Sequence, residues 1–328
     1  MKKLILLMIP ILILGVSCNG NLQEMEDEKN SFLSPPEPGD VYVVGTIDNM
    51  AVLWKNGVAH YLSDSTLEAN ARSVFVSAGD VYAAGRIGNK AVLWKNGVAQ
   101  NLSDGGCANS VFVSGADVYV AGFEASGQEY NIAKLWKNGI AQNLTDGTNH
   151  ANATSVFVSG SDVYVTGSEG NDAVLWKNNK PEVLFSSFYG AYSSSVFVSG
   201  DNVYVAGVRL SYSSLNAGSL IDSGIFLKNN VEQNLNINCP SSVFSSGDDV
   251  YILGNVNFQG APVGSKLLKN GAELYPTGMS AYSVYVSGVD VYVAGRDMLY
   301  AILWKNGVAH HLTDGTRAAS ANSVFVVE

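Results

Sequence analysis

Past Asp40 the chain is written in short apolar runs of four to six residues, rich in Val, Tyr, Phe and Trp, each ended by a turn pair. The turn pairs are of two kinds. One is Gly-x-Asp, as in Gly115-Ala116-Asp117 and Gly160-Ser161-Asp162. The other is Asn-Gly, at Asn56-Gly57, Asn96-Gly97, Asn138-Gly139, Asn270-Gly271 and Asn306-Gly307, with Asn-Asn at Asn178-Asn179 and Asn229-Asn230. Gly reaches positive φ at little cost, Asn is the next best residue there, and Asn-Gly between apolar runs is the strongest local mark of a β-hairpin. No stretch carries an i, i+3, i+4, i+7 apolar stripe free of Gly or a turn pair, so no helix is predicted.

The runs repeat. Tyr42, Tyr82, Tyr119, Tyr164, Tyr204, Tyr251 and Tyr292 occupy one place in an Asp/Asn-Val-Tyr run, at successive spacings of 40, 37, 45, 40, 47 and 41 residues. Each copy divides into four short strands. In order these are a (as at 73–77, 110–114, 155–159 and 195–199), b (as at 118–121), c (as at 91–95) and d (as at 98–102). Four strands at a period near 40 residues predict an all-β, seven-bladed β-propeller of antiparallel blades; a β-helix or leucine-rich solenoid would use a shorter period. The domain opens at Asp40 on a strand b and closes at Ser323-Val324-Phe325-Val326 on a strand a, so the C-terminal strand should complete the first blade. The five Trp residues, Trp54, Trp94, Trp136, Trp176 and Trp304, all fall in strand c, with Phe226 and Leu267 read in that place in copies five and six. Residues fixed by the repeat, these Trp and the seven Tyr included, are expected to pack blade on blade rather than to bind ligand.

The N-terminus reads differently. Lys2 and Lys3, the apolar run 4–16 and then Ser17-Cys18 describe an export signal over residues 1–17, too short for a membrane span. Residues 18–39 form an acidic, Pro-containing tether without periodicity, and 40–328 form the propeller. The formal charge of -10 becomes more negative when Lys2 and Lys3 leave with the signal. An acidic, Lys-poor domain lacks the basic footprint that nucleic acid requires. Beyond Cys18 only Cys107 and Cys239 remain, at equivalent positions three blades apart, and separate thiols are expected rather than a disulfide framework.

The a–b and c–d turns hardly vary, whereas the b–c and d–a connections differ from copy to copy. An up-and-down blade places these two sets on opposite faces, so variation is confined to one face, where binding is expected. The longest variable segments are 123–131, 208–223 and 255–264. Their aromatics Phe123, Tyr130, Tyr212 and Phe258, with Phe188, Tyr189 and Tyr192 of the fourth d–a connection, do not follow the repeat and are the candidate ligand-binding residues. Asp104-Gly105, Asp146-Gly147 and Asp314-Gly315 read as turns, being too short for a calcium loop. His60, His150, His310 and His311 have no partner at metal-ligand spacing. No metal, cofactor or catalytic residue is therefore assigned. The acids outside the repeat, Glu124, Glu129, Glu169, Asp172, Asp222 and Asp297, form no obvious pair, and no nucleophile-elbow or zincin motif occurs.

Ser17-Cys18 resembles the lipobox of bacterial lipoproteins, with Gly15 where Leu is usual. Ala-x-Leu-Trp-Lys-Asn-Gly alternating with Ser-Val-x-Val-x-Gly resembles bacterial β-propeller repeats, including the extracellular repeats called HAF, although the hallmark triplet of the latter is absent. The acidic residues after Cys18 are similar to the surface-export signal of some Bacteroidetes lipoproteins. Together these resemblances imply a Bacteroidetes cell-envelope lipoprotein, held in the outer membrane through lipidated Cys18, on its periplasmic or cell-surface side. The expected function is that of a monomeric, non-catalytic binding or scaffolding module for a glycan or an envelope protein. The alternative is a polysaccharide lyase or glycosidase on the same scaffold, for which two converging carboxylates would be required.

Overall fold

The computed structural model describes residues 34–125, 127, 129–212, 220–258, 261–276 and 280–328. Cys18, the signal segment and most of the tether lie outside these. Within Pro35–Glu328 the strands form seven four-stranded antiparallel sheets. Blade 2 shows the pattern: strand a Ala69–Ser77, b Asp80–Ile87, c Lys90–Lys95 and d Val98–Ser103. Blade 1 is built from both ends of the domain. Val41–Ile47, Met50–Lys55 and Val58–Tyr61 are its strands b, c and d, and Ala319–Val326 pairs on Val41–Ile47 as its strand a. The chain is thus a closed seven-bladed β-propeller with a C-terminal clasp.

Two circular arrangements tie the inner strands together. Phe75, Phe112, Phe157, Phe197, Phe244, Tyr285 and Phe325 form an unbroken ring, each centroid 4.7–4.9 Å from the next. Beside it runs a belt of hydrogen bonds. The Val74 amide donates to Ser323 Oγ at 3.3 Å and the Val111 amide to Ser73 Oγ at 3.1 Å; the same bond recurs onto Ser110, Ser155, Ser195, Ser242 and Ser283. Ser-Val-Phe-Val-Ser therefore serves closure: Ser accepts from the next blade, the flanking Val residues enter the core, and the central ring faces the axis.

Strand a is longer than its apolar run suggests, because a β-bulge interrupts it. In blade 2 the register slips between Ala71 and Ser73, leaving Arg72 unpaired; equivalent slips leave Asn109, Thr154, Ser194, Ser241, Tyr282 and Asn322 unpaired in the other blades. Most of these bulge residues bond across to the next blade. Asn109 Nδ2 donates to the Ala153 carbonyl at 2.8 Å, Thr154 Oγ1 to that of Ser193 at 2.7 Å and Ser194 Oγ to that of Pro240 at 2.6 Å.

The strand-c Trp rings do fill the contacts between blades. Trp54, Trp94, Trp136, Trp176 and Trp304 are no more than 5% exposed, and Trp94 Nε1 donates across to the Leu62 carbonyl of blade 1 at 3.0 Å. Cross-strand pairing corrects the reading of the two odd copies. Val205 faces Leu227 and Ile252 faces Leu268, as Val43 faces Trp54, so Leu227 and Leu268 hold the Trp position. Phe226 and Leu267 lie one residue earlier, and one residue along a strand is the opposite face of the sheet.

The remaining consensus is one polar cluster used repeatedly. In blade 2, Asn96 Oδ1 accepts from the Val81 amide at 2.8 Å while Asn96 Nδ2 donates to Asp80 at 2.7 Å. Lys95 meets the same carboxylate at 2.7 Å and lies 5.5 Å from the centre of the buried Tyr82 ring. The Lys95 and Asn96 hydrogen bonds hold the Asp80 carboxyl below the usual carboxylate range. Six blades share this arrangement; in blade 5, Asn202 replaces the Asp. Asp in Gly-x-Asp is thus chiefly a cross-strand acceptor.

One turn departs from its copies. The tight b–c turns of blades 1, 2 and 4 place Asp48, Gly88 and Gly170 at φ 50°, 57° and 59°, and blade 7 places Met298 there at φ 51°. A side chain other than Gly, Asn or Asp costs about 1 kcal/mol in that conformation. Met298 is also 79% exposed, so it gives little packing in return. Met298→Gly should therefore stabilise the domain by roughly 1 kcal/mol, seen as a higher melting temperature; an unchanged or lower one would contradict the strain.

Candidate functional site

The variable face is not simply looped. Segments that read as loops continue the b–c ladders beyond the disc. In blade 5 strand b runs Asn202–Tyr212, with Leu210 facing Asp222 and Tyr212 facing Leu220. In blade 6 strand b is Asp249–Phe258 and strand c Ala261–Lys269; in blade 3 strand b is Asp117–Ala125. Continued pairing satisfies the backbone groups that a loop would leave to water.

The blade 5 hairpin holds the neighbouring d–a connection, residues 187–190. Ser187 Oγ donates to the Leu210 carbonyl, and the Leu210 amide donates to the Gly190 carbonyl at 3.0 Å. Inside the turn, the Gly190 amide donates to the Ser187 carbonyl at 3.1 Å and the Tyr189 amide to Ser187 Oγ at 3.3 Å. On the other side, Asn171 Nδ2 from the blade 4 b–c turn donates to the Phe188 carbonyl at 3.3 Å. Gly190 sits at φ 109°, which explains the glycine there.

This clamp presents three rings to solvent. Phe188 is 85% exposed, Tyr212 50% and Tyr189 43%. Phe188 meets Tyr189 edge-on at 5.1 Å, and Tyr189 meets Tyr212 at 5.6 Å. Two large exposed rings from a d–a turn and one from an adjacent hairpin thus form a continuous aromatic patch over blades 4 and 5. Of the candidate aromatics, these three come together.

The others are placed elsewhere. Tyr192 lies on the inner strand of blade 5 opposite Val208 and is 37% exposed, with its hydroxyl pushed up to about 12 by desolvation, then by Cys239 and Asp222. Cys239 Sγ donates to Asp222 Oδ2 at 3.0 Å. Phe123 is half-buried in strand b of blade 3, paired with Cys107 and Ala133. Tyr130 packs edge-on against His150 at 4.9 Å. The Phe258 side chain lies outside the described residues. Cys107 and Cys239 are both free thiols, Cys107 buried.

Some acids beyond the repeat are engaged within the fold. Glu124 pairs with Lys134, whose side chain is nearly buried. Glu169 faces Asp172 across the tight blade 4 turn, and burial, then Asp146 and Asp172, raise its carboxyl above the usual range. Asp172 follows Asn171, the residue whose side chain holds the Phe188 carbonyl. Two of the three Asp-Gly segments are Asx turns, with Asp146 Oδ1 accepting from the Thr148 amide at 2.9 Å and Asp314 Oδ1 from that of Thr316 at 2.9 Å, whereas Asp104 accepts from Asn101 Nδ2 at 3.0 Å and pairs with Lys90 at 3.2 Å. Sequence reasoning missed Ser187, Asn171 and Leu210. Their roles arise from bonds between segments far apart in the chain.

No family model matches the chain, and no curated protein matches its sequence. Solved structures resemble it at low identity. A prolyl endopeptidase at 12% identity aligns over 94% of this chain and 54% of its own, with a TM-score of 0.47. TolB from Acinetobacter baumannii, at 12% identity, aligns over 88% of this chain and 66% of its own, with a TM-score of 0.47. Drosophila semaphorin 1a, extracellular domains 1–2, at 9% identity, aligns over 77% and 80%, with a TM-score of 0.46. The chain spans about half the length of the prolyl endopeptidase it matches. At these identities and TM-scores the likenesses carry over no residue, substrate or partner.

Proposed function

We propose that this chain is a non-catalytic glycan-binding propeller, tethered to the outer membrane of the cell envelope through lipidated Cys18. The reading rests on one observation above all: Phe188 and Tyr189 of a hydrogen-bonded turn and Tyr212 of the adjacent hairpin form an exposed aromatic patch. Rings held in place lose little entropy on binding, and their faces suit the apolar faces of sugar rings.

The test is a glycan-array screen of the mature domain, with pull-down from envelope extract, repeated on a Phe188→Ala/Tyr189→Ala/Tyr212→Ala variant. Binding should fall at least tenfold while the far-UV spectrum is unchanged; binding that survives all three substitutions would remove the site. Capture of an envelope protein in place of any glycan would reassign the ligand class but keep the surface. A glycosidase reading draws on two carboxyls, Glu169 and Asp172, that face each other across the blade 4 turn, with the Glu169 carboxyl raised above its usual range chiefly by burial. Hydrolysis of a bound glycan, abolished by Glu169→Gln with binding retained, would favour that reading over simple binding.

A further inference from the structure

The invariant face, opposite the aromatic patch, carries clefts between successive blades. Each is lined by the strand-b Tyr and strand-c Lys of one blade and the c–d turn of the next. The cleft between blades 3 and 4 has a volume of about 260 Å³, that between blades 4 and 5 about 150 Å³, and that between blades 5 and 6 about 470 Å³. Only the last reaches the size of small-ligand pockets, roughly 300–1,000 Å³.

Two departures from the repeat meet at this cleft, Asn202 for Asp and Leu268 for Trp, and it keeps the consensus Asn-Gly turn that Asn-Asn replaces in the two smaller clefts. In six blades the strand-c Lys is paired to the Asp of strand b, at 2.7–3.0 Å. Blade 5 has Asn202 there. Lys228 lies 5.7 Å from the centre of the Tyr204 ring, and among the described residues no carboxylate pairs with it. In four other contacts a Trp packs against the Tyr of the preceding blade; here Leu268 packs on Tyr204. The two smaller clefts are bridged by an Asn of the c–d turn: Asn179 Nδ2 donates to Gln142 Oε1 at 2.9 Å, and Asn230 Nδ2 to Glu182 Oε1 at 2.8 Å. At the corresponding place blade 6 has Gly271, which has no side chain to reach Gln233.

We infer that the cleft between blades 5 and 6 is a second binding site, for a sugar carrying a carboxylate, of the uronic acid class. Among the described residues, Lys228 is the one strand-c ammonium left to a ligand anion. Gln233, Asn234 and the Asp248 carboxylate line the same cleft and match hydroxyl groups, over an apolar floor that includes Leu235 and Ile252. On a protein of net charge -10, a lysine without a carboxylate partner marks a place that favours an anion. The site is independent of the aromatic patch and stands or falls without it.

The probe is D-glucuronate, with D-glucose as its uncharged counterpart, titrated into the mature domain and followed by ligand-observed NMR and calorimetry. Glucuronate should bind at least tenfold more tightly than glucose, and added salt should weaken it. Lys228→Met should remove this preference. Asn202→Asp, which restores the residue of the other six blades, and Gly271→Asn, which supplies the bridge of the sister clefts, should each weaken glucuronate binding at least fivefold in a folded protein. The triple aromatic variant should bind glucuronate as the parent does. Equal binding of glucuronate and glucose, or glucuronate binding unchanged in Lys228→Met and Asn202→Asp, would overturn the site.

Discussion

Deleting residues 323–328 should unfold this domain or lower its melting temperature by more than about 10 °C, although it removes only the last six residues. Trimming a chain end ordinarily costs almost nothing, because ends are frayed. Here the end is the innermost strand of blade 1. Val324 and Val326 are 4% and 2% exposed, and burying a Val is worth roughly 1.5–3 kcal/mol. Phe325 bridges Phe75 and Tyr285 at 4.9 Å on either side, so the aromatic ring opens. Ser323 Oγ accepts from the Val74 amide of blade 2, so the serine belt opens at the same point. Strand b of blade 1 then presents unpaired backbone groups from Val41 to Val44, an edge that recruits other chains. Thermal unfolding followed by near-ultraviolet circular dichroism, with light scattering, measures both effects. A melting temperature within about 2 °C of the parent would show that the ring does not depend on its clasp. Partial recovery on adding a synthetic peptide of residues 319–328 would show that the missing term is strand pairing itself.

The clasp is legible in the sequence because it depends on the phase of a repeat, which the order of residues alone defines. The same holds for blade number, for the Asn-Gly turns and for the burial of the strand-c Trp residues. Each follows from a local pattern repeated often enough to average out single-residue noise. What cannot be read that way depends on contacts across blades. The aromatics Phe188, Tyr189 and Tyr212 are visible as exceptions to the repeat, but their convergence depends on Leu210 pairing with Gly190, and nothing local links those two segments. Segments such as 208–223 read as loops because their alternation lacks a turn pair of the usual kind, yet backbone pairing extends Asn202–Tyr212 well beyond the disc. Departures from the consensus are as informative as the consensus. Asn202 for Asp and Leu268 for Trp look like drift when read singly, and their meaning appears only when blades 5 and 6 are seen to share a cleft.

A glycine that recurs in the middle of strand b is equally legible, and it carries the second large effect. Gly45, Gly85, Gly122, Gly167, Gly207, Gly254 and Gly295 occupy the same place, where a strand glycine marks a bulge or a close backbone approach. Each faces the bulge of strand a. A Cβ on Gly122 would overlap the Cys107 carbonyl oxygen, and one on Gly85 the Asn70 carbonyl oxygen; both are backbone atoms that cannot rotate away. Strand a would have to move, and with it Asn109, whose side chain reaches Asn152 at 2.7 Å and the Ala153 carbonyl at 2.8 Å in blade 4. Gly122→Ala should therefore cost about 3 kcal/mol or more, the upper range for overpacking, and lower the melting temperature by roughly 6 °C or more. The comparison that isolates the cause is Gly115→Ala in the same blade. Gly115 has φ 59° and open space where its Cβ would stand, so it carries only the conformational penalty, about 1 kcal/mol. If the two variants lose equal stability, or Gly115→Ala loses more, then the bulge does not dictate this glycine. The expected order would identify the bulge as a shared structural element of all seven blades, one that holds the polar residues Arg72, Asn109, Thr154, Ser194, Ser241 and Asn322 out of register with the ladder, where most of them bond to the neighbouring blade.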